Sequence, residues 1–148
     1  MSITFSDFGL LPPLLEAIAA MGYEEPTPIQ AQAIPFLLET QQDLIALAQT
    51  GTGKTAAFSL PCLQKIDTET MDSQVLILSP TRELALQTAK EIKKFSKKLS
   101  NLKSVALYGG ADYGSQSRAL SKGCQVVVGT PGRTLDFIRQ GRLDLSTV

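Results

Sequence analysis

The segment Ala48-Gln49-Thr50-Gly51-Thr52-Gly53-Lys54-Thr55 lies between a short apolar run and a helix-forming stretch, and no other feature constrains the chain as strongly. Such a loop wraps backbone N–H groups around a phosphate. Its glycines permit positive φ and close backbone approach, Lys54 reaches the β- and γ-phosphates, and the Thr55 hydroxyl can ligate Mg²⁺ at the start of the following helix. The run Asp43-Leu44-Ile45-Ala46-Leu47-Ala48 suits a buried parallel strand, and Ala56-Ala57-Phe58 continues as helix, which predicts the strand–loop–helix order this chemistry needs. The usual pattern opens on glycine; here Ala48 takes that place. The expected ligand is a nucleoside triphosphate, with Lys54 and Thr55 nearest its chemistry.

Composition sets limits without choosing a function. A chain of 148 residues with 43% hydrophobic content suits one globular domain. Fourteen basic and fourteen acidic side chains cancel, so no global field draws the protein to nucleic acid or an anionic membrane, and any nucleic-acid site must be local. Cys62 and Cys124 match no metal-ligand spacing and read as buried thiols of a reducing compartment. The lack of histidine disfavours triads and zinc chemistry. The amino-terminal residues lack a basic, then apolar, leader pattern, and no run approaches the length of a membrane span; the expectation is a soluble, cytoplasmic protein without a membrane partner.

Apolar runs alternate with helical patterns, which predicts an α/β, doubly wound parallel sheet. Residues 10–21 carry helical periodicity (Leu11, Leu14, Leu15, Ile18) and stop at Gly22. A second helix is expected from about Thr27, with Pro28 in its first turn and Ile29, Ala33, Phe36 and Leu37 inward. Pro61 predicts a kink or early end in the helix over 56–66, and 67–73 reads as a surface loop. Strands are expected at 75–78, 105–108 and 126–128. A long amphipathic helix over 82–99 turns Leu84, Thr88, Ile92, Phe95 and Leu99 inward and a lysine stripe (Lys90, Lys93, Lys94, Lys97, Lys98) toward solvent. Ligands of such sheets bind outside the carboxyl ends of the strands, where Gly51, Pro80, Gly109 and Thr130 fall.

Phe5, then Gly22-Tyr23 seventeen residues on, then Pro26-Thr27-Pro28-Ile29-Gln30 resembles the Q-motif of the DEAD-box RNA helicases. Ala48 to Thr55 resembles that family's motif I, Pro80-Thr81-Arg82-Glu83-Leu84-Ala85 its motif Ia, Gly109-Gly110 its double glycine, and Thr130-Pro131-Gly132-Arg133 its motif Ib. The resemblance covers the whole chain in family order; Thr134 stands where an apolar residue is commoner. It implies a RecA-like domain in which 1–40 is the Q-motif segment and 41–148 the P-loop core. It also implies ATP or ADP with Mg²⁺ held by Phe5, Tyr23, Thr27, Gln30 and the loop from Gln49 through Thr50, Gly51, Thr52 and Gly53 to Lys54 and Thr55. RNA backbone is implied at Pro80, Thr81, Arg82, Gly109, Gly110, Thr130, Pro131, Gly132 and Arg133.

The residue chemistry agrees with these roles. A glutamine amide pairs with N6 and N7 of adenine, whereas guanine offers two acceptors there, so Gln30 favours ATP. Phe5 offers a ring face to the base; a core contact is its plain alternative. Thr27 can cap its helix. Helix starts at Thr81–Arg82 and Thr130–Arg133, with the bare amides of Gly109 and Gly110, attract phosphates without reading bases; singly, the threonines read as caps and the glycines as turns.

No Asp-Glu dipeptide occurs, so the Asp-Glu-Ala-Asp motif that names the resembled family, with its metal-positioning acid and general base, is missing, as is Ser-Ala-Thr. The second helicase domain is likewise expected to lie elsewhere in cis, and the chain reads as an amino-terminal piece whose strand at 43–49 lacks its neighbours and exposes an edge open to association. Two classes stay open: a part of an RNA-dependent ATPase, inactive alone, and a non-catalytic module that binds adenine nucleotide or RNA. A small-molecule kinase shares the P-loop but leaves Gln30 and the Thr130–Arg133 pattern unexplained.

Overall fold

The structure, a computed structural model, describes residues 2–148. After a 3-10 turn at Phe5–Phe8 come α1 (Pro12–Ala20), α2 (Pro28–Glu39), α3 (Lys54–Gln64), β1 (Val75–Leu78), α4 (Arg82–Phe95), β2 (Ser104–Leu107), α5 (Tyr113–Ser121), β3 (Val126–Gly129) and α6 (Pro131–Arg139). The chain divides into two compact units, residues up to 65 with 94–99, and residues 66–93 with 100–148.

In the first unit, α1 opens on prolines at positions where the helix needs no donor, and it closes before Gly22, whose φ of 83° continues no helix. Leu14 and Ile18 are its buried stripe. Thr27 caps α2, which packs against α3. Of the four inward positions expected on α2, Ala33 is fully buried while Ile29, Phe36 and Leu37 are half-buried; Ile34 and Gln30 take the deepest places instead. The helix is apolar around much of its girth, so periodicity alone does not select the face that meets α3. Helix α3 runs through Pro61 and ends at Gln64, whose amide accepts from Leu11 N (2.8 Å) and donates to Gly9 O (3.0 Å), joining the start of α1 to the end of α3. Rings from Phe5, Phe8, Tyr23 and Phe95 form a chain with centroids about 6 Å apart.

The strand expected at 43–49 is the main departure, although the exposure of the segment agrees with the expectation that its neighbours are missing. The segment forms no strand, and Ile45 and Leu47 are 92% and 93% exposed. An apolar run shows that side chains favour burial, but a strand also needs a hydrogen-bonding neighbour, and none is paired with it among the described residues.

The second unit holds a parallel sheet in the order β1–β3–β2, with Leu78, Gly129 and Leu107 in register at its carboxyl edge. Strand β3 is central and buried throughout, which explains its unbroken valines. Its neighbours return by way of α4 and α5, giving the α/β crossovers expected. Leu107, Leu120, Cys124, Val127, Phe137 and Leu143 form the core, and Tyr113 stacks on Phe137 at 4.5 Å. Strand β2 ends at Leu107, so Tyr108 falls just beyond it, and α4 ends at Phe95 rather than Leu99.

On α4 the buried positions are Ala85, Thr88, Ala89, Ile92 and Phe95, and Leu84 is exposed, contrary to expectation. Small side chains on that face permit close packing, so alanine takes the place a leucine pattern suggested. The lysine stripe is exposed, as the amphipathic pattern predicts. Helix α5, polar in composition, starts where Asp112 Oδ2 accepts from Ser115 N at 2.8 Å. The loop over 67–73 is tied down by the fully buried Gln125, whose amide donates to Thr70 O (2.9 Å) and Asn101 O (3.0 Å). Cys62 and Cys124 are free thiols, and burial raises both pKa values, leaving them protonated and unreactive at neutral pH.

Candidate functional sites

All the residues expected around the nucleotide belong to the first unit. Gly53 is the N-cap of α3 with φ 81°, a left-handed conformation that opens the amino end of the helix. Lys54 begins the helix with its side chain exposed, and Thr55 is half-buried beside it. The first N–H groups of a helix have no intrahelical acceptors, so this terminus presents donors and a positive dipole end. That donor set, with the ammonium of Lys54 and the hydroxyl of Thr55, fits a polyphosphate and its metal ion.

The segment around α2 holds this loop by its backbone. Thr27 Oγ1 donates to Thr52 O (2.7 Å), and Gln30 Nε2 donates to Gly53 O (3.1 Å). Gln30 Oε1 accepts from Thr27 N (3.0 Å), while Gln30 N donates to Thr27 Oγ1 (3.5 Å), completing a capping box. A Cβ at Gly53 would displace the Gln30 amide from its bonds, and the φ of 81° independently favours glycine there. Within the loop Thr52 Oγ1 donates to Gln49 O at 2.6 Å, and Gly51 has φ 79°. Thr50 lies in the turn that leads into it.

Phe5 is 4% exposed and packs on Phe8 and Tyr23. Its turn is pinned by Asp7, whose carboxylate accepts from Thr4 N (2.7 Å) and Thr4 Oγ1 (2.9 Å), hydrogen bonds that lower the Asp7 pKa. Phe5 and Tyr23 also line an open cavity of about 360 Å³ with Thr4, Leu15, Ile18 and Glu24. Phe5 therefore has the core contact named as its plain reading and also borders a cavity.

The second group of expected residues lies in the second unit, just past the strand ends. Ser79 N donates to Gly129 O, and Thr130 N donates to Leu107 O at 2.8 Å, so the loops after β1 and β3 leave the sheet at one edge. Pro80, Thr81 and Arg82 follow β1, Gly109 and Gly110 follow β2, and Thr130, Pro131, Gly132 and Arg133 follow β3; all are exposed or half-buried. Thr81 Oγ1 accepts from Leu84 N and caps α4. Thr130 provides no such side-chain cap to α6.

The two arginines converge on the loop after β2. Arg82 lies over the Tyr108 ring at 5.0 Å, with Nη1 against the open face of Gly110. Arg133 lies over the Tyr113 ring at 5.5 Å and donates to Ala111 O and Gln116 Oε1, each at 3.3 Å. Tyr108, Tyr113 and Gln116 fall outside every motif that marks the RNA edge in the sequence. The two tyrosines, close to the double glycine, are the only trace of these contacts in the sequence.

A DEAD/DEAH box helicase family profile matches residues 27–148 of the chain. The chain belongs to that family. Similar curated members include the ATP-dependent RNA helicase DeaD of Klebsiella pneumoniae, 56% identical over 143 residues, a match covering 97% of this chain and 22% of that protein. DeaD of Escherichia coli (strain K12) is also 56% identical, covering 97% and 23%. Among solved structures, a DEAD box protein from the hyperthermophile Methanococcus jannaschii aligns with TM-score 0.92 at 42% identity, covering 98% of this chain and 39% of that one. S. cerevisiae Dbp5 bound to RNA and ADP BeF3 aligns with TM-score 0.87 at 36% identity, covering 98% and 36%. This DEAD/DEAH box chain thus has the RecA-like α/β fold of its family and spans less than a quarter of the length of these curated relatives.

Proposed function

We propose that this chain is the part of an ATP-dependent RNA helicase that binds an adenine nucleotide over Gly51–Thr55 and single-stranded RNA backbone at the edge formed by Thr81, Arg82, Gly109, Gly110 and Thr130 to Arg133. The observation that carries the nucleotide half is the attachment of Thr27 and Gln30 to the carbonyls of Thr52 and Gly53. An amide has two hydrogens and two acceptor lone pairs, and the internal bonds use one of each at Gln30. The remaining hydrogen and lone pair complement adenine N7 and N6. The same side chain thereby reads the base and shapes the phosphate loop. Phe5 and Tyr23 supply aromatic surface for the base.

Thr55 Oγ1 would hold Mg²⁺, which when bound neutralises phosphate charge; Lys54 contacts the phosphates directly. At the RNA edge, helix starts and glycine amides meet phosphate oxygens without sequence preference, and binding weakens with salt. Work on intracellular RNA implies a cytoplasmic location. We further propose that residues 1–40 and 41–148 serve as Q-motif segment and P-loop core, and that the catalytic acids and second helicase domain belong to the longer protein.

Competition against a fluorescent ADP tests the nucleotide site. ADP should displace the probe and GDP should not, while Lys54→Ala should weaken binding about tenfold or more, as loss of a charge-assisted phosphate contact requires. Equal competition by GDP would remove Gln30 as the base reader. Unchanged binding by Lys54→Ala would remove the phosphate loop as the site.

A further inference from the structure

The proposed RNA edge has a keystone that touches no expected ligand. Gln116, in the middle of α5, is 7% exposed although its side chain is polar. Its Nε2 donates to Tyr108 O (3.0 Å), and its Oε1 accepts from Tyr108 N (3.3 Å), so the amide pairs with the backbone immediately after β2 as a neighbouring strand would. The same Oε1 accepts from Arg133 Nη1 at 3.3 Å. Tyr108 in turn carries Arg82 over its ring at 5.0 Å, and Arg133 stands over Tyr113 at 5.5 Å. One buried amide thus joins the residue before the double glycine to the arginines that follow β1 and β3.

We infer that Gln116 is a positioning residue for the RNA-backbone site: it aims Arg133, so that the guanidinium meets a phosphate at a smaller ordering cost on binding. The inference rests on the RNA reading proposed above. The physical basis is restriction of rotamers. A free arginine loses most of its side-chain freedom on binding a phosphate, and a guanidinium already held by one acceptor and one ring loses less while keeping N–H groups for the ligand. The hydroxyl of Tyr113, which contacts Gln140 Oε1, anchors the ring beneath Arg133 to the end of α6. Asp112, capping α5, fixes the helix turn from which Gln116 projects. Arginine alone at the site would supply charge; the amide supplies direction.

A double-mutant cycle tests this with the 148-residue chain and a short fluorescent oligouridylate. Gln116→Met keeps side-chain length without the amide, and Arg133→Ala removes the group it aims. Each should weaken oligouridylate binding by about tenfold, and the double variant should be no weaker than Arg133→Ala alone, because one acts through the other. The salt slope should fall by about 0.7 in Arg133→Ala, the value of one phosphate contact on a single strand, and stay near the parental value in Gln116→Met, where the guanidinium keeps its charge and loses only its restraint. Arg133 guanidinium resonances in side-chain NMR, recorded without RNA, should lose their restrained signature in Gln116→Met.

Additive effects, parental affinity in Gln116→Met, or unchanged Arg133 resonances would overturn the inference. Should that variant fail to fold, Gln116→Glu serves, since its carboxylate keeps the acceptor for Tyr108 N and Arg133. Restrained Arg133 signals there support the inference, and released signals overturn it. If Arg133→Ala leaves oligouridylate binding unchanged, the RNA reading of Arg133 fails and the positioning role falls with it; altered binding there combined with additivity refutes the positioning role alone.

Discussion

Thr134 and Gly129 show how one contact decides two residues. The Thr134 hydroxyl is buried without a hydrogen-bond partner, and a Cβ at Gly129 would overlap it. A buried hydroxyl without a partner costs about 1–3 kcal/mol relative to an apolar group in its place. Thr134→Val should therefore raise stability by about 1 kcal/mol in urea unfolding, and Gly129→Ala should lower it by about 2 kcal/mol or more, because β3 is buried on both faces and cannot yield. A loss of stability in Thr134→Val would mean that the hydroxyl has an acceptor after all. The departure of Thr134 from the apolar residue common in the family was visible in the sequence; that it sits over Gly129 was not. Gln30 divides similarly. Its place in a capping pattern with Thr27 is a matter of neighbouring residues, but its bond to Gly53 O crosses 23 positions and depends on α2 meeting α3.

At the level of elements, the segment over 43–49 carries the clearest consequence. Its residues Leu44 to Ala48 are uncharged, apolar and free of proline and glycine, Ile45 and Leu47 are almost wholly exposed, and no hydrogen-bonded strand lies beside it among the described residues. Such a segment favours pairing with another chain, and a net charge of zero opposes that pairing weakly. The 148-residue chain should associate with rising concentration in sedimentation velocity, and replacing Ile45 and Leu47 by lysine should return it to a monomer. Concentration-independent sedimentation of the parent would count against the edge as an adhesive site. The sheet strands at 75–78, 104–107 and 126–129 were legible almost to the residue because their apolar runs end at turn residues. Helix α5 was not. Asp112, the cap that starts it, is one polar residue among several, and Tyr113 and Leu120 are too few apolar positions to set a period.

For the whole molecule, a phosphate loop without a group that positions the attacking water binds nucleotide and turns it over slowly. Arginine-finger groups contribute about 10³- to 10⁵-fold to such reactions, and the chain has no Asp-Glu pair to supply a general base. Phosphate release from ATP with saturating RNA should stay near background for the 148-residue chain and rise when the longer protein is assayed. RNA-stimulated turnover by this chain alone would place the catalytic acid among residues 1–148 and refute that division of labour.

What the amino-acid order determines by itself is whatever depends on neighbours in the chain: the glycine-rich loop with Lys54 and Thr55, the Thr27 cap, the valines of a central strand, and the order of motifs that marks the family. Those signals survive without a fold because their geometry is set by residues a few positions apart. The tertiary structure alone decides that Leu84 yields its buried place to Ala85 and that Gln116 reaches Tyr108 and Arg133. Each depends on a partner from another element, and where two elements meet is a property of packing that no local pattern encodes.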